Sequence, residues 1–223
     1  MPYVIPLAIA AAIAVLDWWA IADRQADRLG RSDGGPDRRS IERWAKPAVM
    51  VFLIAAALLI PAESSTIRWA IVIGLAFGLV GDVLLFYDRF IPGAAAFLAG
   101  HIAYVVALLL VPQEPRGLLV GGVIVLLVAV FVGRQIVAGA WRKSSLLGAI
   151  VATYMLVIGV VVVLAVGSTS VVVEIAALLF LTSDALLAWA RFVGPAPGGR
   201  VAVMVTYQLA QAGFVLAIPT LGS

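Results

Sequence analysis

Few residues in this chain could carry acid–base or nucleophilic chemistry. The sequence holds no Cys and one His. Thiol nucleophiles, disulfides, Fe–S clusters and the usual nitrogen- and sulfur-rich metal shells are therefore out of reach, and the reading assigns no metal and no cofactor. What remains is Lys46 in KPAVM, Asp82 in GLVGDVLLF, and His101 and Tyr104 in FLAGHIAYVVAL. Further along come Tyr154, then Ser183 and Asp184 in LTSDALLAWARF, then Tyr207 and Gln211 in VTYQLAQ. Two carboxyl groups in unlike surroundings can divide the roles of proton donor and stabilising anion, much as in glycosidases, and Asp82 and Asp184 are the candidates for that pair. The lone serines lack a His-acid partner pattern, so a serine-hydrolase triad is unsupported.

The elements that must position these residues follow from composition. A 223-residue chain that is 64% hydrophobic and 12% charged has too little polar surface to cover a soluble globule. Apolar runs long enough for the roughly 20 residues of a membrane-crossing helix occur at 2–22, 44–62, 67–87, 93–111, 117–136, 146–166, 171–190 and 201–219. The fold class read from this is an all-α, polytopic transmembrane bundle of eight spans forming one membrane domain, with an Arg-rich loop over 23–43. The second run is the least comfortable, since a full crossing must draw in Trp44 and Lys46. The first basic residue, Arg24, follows the first apolar run instead of preceding it, which reads as a retained span and not a secretory signal.

Counting Lys46 with the first loop, thirteen of the fifteen Lys and Arg residues fall at the ends facing loops one, three, five and seven. The positive-inside rule makes those loops cytoplasmic and puts both termini outside, in the cell (inner) membrane. The small net charge of +3 then reflects loops and calls for no nucleic acid. On this topology every candidate above lies in the cytoplasmic half of its span. Ionisable groups at that depth are costly and face a protein interior or a cavity. Gly74, Gly78 and Asp82 recur every four residues and share a helix face, so the carboxylate points where glycines permit close helix contact. Ala177, Phe180 and Asp184 share another. Asp17 is expected to face interfacial water. GDVLLF and SDALLA, 102 residues apart, suggest a diverged duplication relating spans one to four to spans five to eight.

The ordered set KPAVM, GDVLLF, FLAGHIAY, Tyr154, LTSDALLAW and VTYQLAQ resembles the lysoplasmalogenase (YhhN-like) family of eight-span membrane proteins over roughly residues 44 to 215. Gln208 stands where the resemblance leads one to expect a second aromatic beside Tyr207. Membership implies a membrane-embedded hydrolase that cleaves the vinyl-ether bond of a lysoplasmalogen, or a related ether lysolipid, to a fatty aldehyde and a glycerophospho-base. The implied partners are a lysophospholipid substrate and membrane lipid. In that scheme Asp82 and Asp184 do the acid–base work. Lys46 or His101 keeps one of them anionic, and Tyr104, Tyr154, Tyr207 and Gln211, with Ser183 beside the second carboxylate, bind the headgroup or orient water. The alternative reading is a proton-coupled small-molecule or lipid transporter, because intramembrane carboxylates also serve as relays. The chain lacks the paired Gly/Pro-interrupted spans that such a carrier would show.

Overall fold

The computed structural model describes residues 1–28 and 39–221. Among them the fold is all-α: α1 (Val4–Arg28), α2 (Arg39–Leu59), α3 (Ser65–Phe86), α4 (Phe90–Leu109), α5 (Pro115–Lys143), α6 (Ser145–Gly167), α7 (Val171–Phe192) and α8 (Gly199–Ala217). A last 3₁₀ turn covers Ile218–Thr220. Among the described residues seven helices are long and apolar enough to cross a membrane. The other, α2, carries Glu42, Arg43 and Lys46 in its first half, so only its later turns match lipid. The chain is a polytopic transmembrane helix bundle.

Local chemistry sets the helix ends. The Ser64 and Ser144 side chains accept the backbone N–H groups of Ile67 and Leu147 and so cap α3 and α6. Pro115 opens α5, where a missing N–H costs nothing. At the start of α8, Gly198 and Gly199 have φ of 69° and 61°, a left-handed turn that suits glycine.

Two boundaries differ from the sequence reading. Helices α1 and α2 run into the stretch assigned to the 23–43 loop, because Arg24 and Glu42 pair across them and extend both; the Gly34-Gly35-Pro36 break lies outside the described residues. Helix α5 continues past 136 to Lys143, because Ile136 and Ala140 keep an apolar face packed against Val151 and Phe192.

Sequential helices pair antiparallel, α1 with α2, α3 with α4, α5 with α6 and α7 with α8, and α4 and α7 both pack on α6. Helix α8 turns inward and meets α1, α2 and α3. Helix α5 leans on α6 and, at its end, on α7, without packing along α4. Its centre opens into a π-helical segment, Ala129–Gly133. A cleft opens in the α4–α5 gap.

Candidate active site

The glycine face of α3 does what its spacing implies. A side chain at Gly78 would sit 2.7 Å from the Gln211 amide nitrogen and 3.1 Å from the Tyr207 hydroxyl, so glycine leaves room for these α8 side-chain tips. That approach delivers Tyr207, whose hydroxyl donates to Asp82 Oδ2 at 2.8 Å and also meets Met50 Sδ at 3.6 Å. Lys46 acts on Asp82 electrostatically from α2. Tyr104 stacks on Phe214 with centroids 4.2 Å apart and donates to Gln211 Oε1. Asp82, Lys46, Tyr104, Tyr207 and Gln211 thus form one buried polar cluster among α2, α3, α4 and α8.

Asp184 belongs to a second cluster. Tyr154 donates to its Oδ2 at 2.9 Å, and His101 Nε2 lies 3.4 Å from the same oxygen. His101 Nδ1 sits 2.7 Å from the Phe97 carbonyl oxygen. A carbonyl only accepts, so Nδ1 carries a hydrogen and donates it. A neutral ring then presents Nε2 as a lone pair towards the carboxyl oxygen, and no hydrogen bond joins the two. Phe180 touches both clusters, 4.6 Å from the His101 ring and 5.7 Å from that of Tyr207, and the His101 and Tyr104 rings meet edge to face at 6.4 Å.

Asp82 on α3 is met by α8 and α2, and Asp184 on α7 by α4 and α6.

Only Asp184 and Tyr154 bring ionisable side chains to a cleft between α4 and α5 that is partly open to the outside. Ala94 and Phe97 of α4, Val128 and Val132 of α5, and Leu181 and Ala188 of α7 are among its otherwise apolar lining. Asp82, Lys46, Tyr104, Tyr207 and Gln211 do not line it. Ser183 also turns away, donating to the Val203 carbonyl of α8 at 3.0 Å.

Two acidic residues outside the candidate set are buried. Asp17 is 0% exposed and accepts from Gln208 Nε2 at 3.0 Å, so the expectation of interfacial water at Asp17 is corrected. Gln208 thereby spends its amide on an α1 carboxylate, where an aromatic ring would leave Asp17 buried without a donor. Glu42, 1% exposed, receives Arg24 and Arg200, with Lys46 Nζ 3.2 Å from its Oε1. It lies in the charged first turn of α2, outside the apolar stretch. Burial pushes this carboxyl up, but Lys46, Arg200 and Arg24 outweigh it and hold Glu42 below the ordinary glutamate range.

Residues 41–218 match the YhhN family. The chain belongs to the YhhN family. Every residue of both clusters lies within the YhhN match, whereas Asp17 precedes it. A pig protein named lysoplasmalogenase TMEM86B is 34% identical over 143 residues, 62% of this chain and 58% of that protein. The human protein of the same name is 34% identical over 140 residues, 61% of this chain and 58% of its own length. The mouse one is 33% identical over 173 residues, 76% and 70%. The matched stretch thus spans less than two thirds of the pig and human proteins. No solved structure matches this YhhN chain.

Proposed function

We propose that this protein hydrolyses the vinyl-ether bond of a lysoplasmalogen or a related ether lysolipid, with the single hydrocarbon tail lying in the α4–α5 cleft. The observation that carries this reading is the cleft itself: an apolar groove beside α5 whose ionisable lining is Asp184 and Tyr154, with the His101 ring beside the carboxyl group. The family match and the lysoplasmalogenase names of the mammalian relatives support the same chemistry.

A vinyl ether hydrolyses when an acid protonates its β-carbon. In the proposed sequence a proton held at Asp184 moves to that carbon and the α-carbon becomes an oxocarbenium ion. The Asp184 carboxylate left behind faces the cation. Water adds to the α-carbon and returns a proton to the carboxylate. The hemiacetal then collapses to the aldehyde and the glycerol hydroxyl, leaving the enzyme as it began. Tyr154 orients Asp184 throughout. Asp82 is the second carboxylate of the scheme, acting electrostatically from the neighbouring cluster where Tyr207 and Lys46 fix it. We further propose that the end bearing loops one, three, five and seven faces the cytoplasm of the cell membrane, which puts the cleft in that leaflet.

The test is incubation of the purified protein with a lysoplasmalogen. Free fatty aldehyde should appear one-for-one with the glycerophospho-base; no aldehyde over the uncatalysed rate, with folded protein, defeats the reading.

A further inference from the structure

At the loop end of the cleft two cations converge. Lys143 ends α5 and Arg191 is the penultimate residue of α7. Gly139 brings the two helix ends together: a side chain there would lie 3.0 Å from the Phe192 carbonyl carbon, so only glycine allows the contact. Lys143 Nζ donates to the Arg191 carbonyl at 2.6 Å, which anchors the ammonium at the negative end of the α7 dipole. The Lys143 ammonium lies 5.2 Å from the Phe192 ring centroid, and the Arg191 guanidinium 5.1 Å from that of Phe90. Phe90 and Phe192 meet edge to face at 5.7 Å, and both line the cleft. Both cations are exposed, and among the described residues neither meets a carboxylate. Loop charge bias explains why basic residues lie at this end of the bundle. It does not explain two of them seated on the aromatic rim of one groove.

We propose that Lys143 and Arg191 form a phosphate subsite at the mouth of the cleft, taking the anionic headgroup of the lipid whose tail fills the groove. The identity of that lipid rests on the function proposed above. Depth supports the assignment. Arg191 stands seven residues beyond Asp184, about 10 Å along the helix axis. The phosphorus of a glycerophospholipid lies six bonds from its vinyl-ether carbon, and the Arg191 side chain tilts back towards the helix N-terminus and spans what is left. A guanidinium fork and a point-charge ammonium suit the two free oxygens of a phosphodiester. Choline or ethanolamine then projects outward to water.

Binding separates this proposal from catalysis. A 1-alkyl lysophosphoethanolamine has no vinyl bond to cleave, and 1-alkylglycerol carries the same tail without phosphate. Wild-type protein in mixed micelles should bind the phosphate-bearing lipid more tightly by about tenfold or more. K143Q/R191Q should lose that difference while 1-alkylglycerol binding stays unchanged, and K143R should keep it. Equal wild-type affinity for the two lipids, or a double variant that keeps the difference, overturns the subsite even if hydrolysis is intact. Inorganic phosphate provides the second arm. Should it occupy the site with micromolar affinity in lipid-free micelles, the pocket serves a free anion and the headgroup assignment falls. If no aldehyde is ever formed but the binding difference holds, the function fails and the subsite stands.

Discussion

Tyr154→Phe removes one oxygen and leaves the ring in place. In the wild type that hydroxyl donates to Asp184 Oδ2 at 2.9 Å, the oxygen that also faces His101 Nε2. A hydrogen bond to a group that becomes charged contributes roughly 1.5–3 kcal/mol. Here the bond is to the carboxylate that forms as the proton leaves, so its loss falls mainly on the transition state. Each 1.36 kcal/mol is tenfold in rate, giving a fall in kcat of about 10- to 150-fold with KM little changed. Tyr207→Phe deletes a bond of nearly the same length, 2.8 Å to Asp82. Asp82 keeps the influence of Lys46 and does not line the cleft, so the loss in kcat should be several-fold smaller. The assay is the initial rate of aldehyde release by each purified variant in vesicles, with thermal unfolding measured alongside. If Tyr154→Phe stays within about threefold of wild type, or if Tyr207→Phe is the more damaging, the assignment of the reacting carboxylate to Asp184 is refuted.

Ala94→Trp fills the α4 wall of the cleft, so the enzyme should favour shorter alkenyl chains, each displaced methylene costing about 0.8 kcal/mol, near fourfold in KM; a chain-length series measures it. The depressed Glu42 carboxyl adds stability above its unfolded value of about 4.5 and loses it as pH falls further. Glu42→Gln should therefore lower Tm at neutral pH and flatten the acid limb of a Tm-against-pH scan. The chain has no native Cys, so single cysteines report topology cleanly: Ser144→Cys should be labelled only from the cytoplasm and Glu63→Cys only from outside.

Much of the bundle was legible because apolar runs of spanning length leave little choice of element. The Gly74, Gly78 and Asp82 face was legible for a related reason: period-four spacing fixes which side chains share a stripe, whatever the partner helix. Asp17 and Glu42 were not legible. A charge near the end of an apolar run looks hydrated until the helix beside it is known, and the partners of Glu42 on α1 and α8 lie 18 and 158 residues away in the chain. The cleft left no trace in the sequence either. It is walled by ordinary Ala, Val, Leu and Phe on several helices, and it exists because α5 declines to pack on α4. The sequence treated Asp82 and Asp184 as one pair without showing the partners that each would take, Tyr207 for Asp82 and Tyr154 for Asp184.

The central claim is that a proton held at Asp184 is delivered to the β-carbon of a vinyl ether. Hydrolysis run in D2O tests it most directly, with the aldehyde trapped by reduction and weighed by mass spectrometry. The account predicts one deuterium at the carbon next to the carbonyl in the wild-type product, and no product above background from folded Asp184→Asn. Aldehyde without that deuterium, or an undiminished yield from Asp184→Asn, would contradict it.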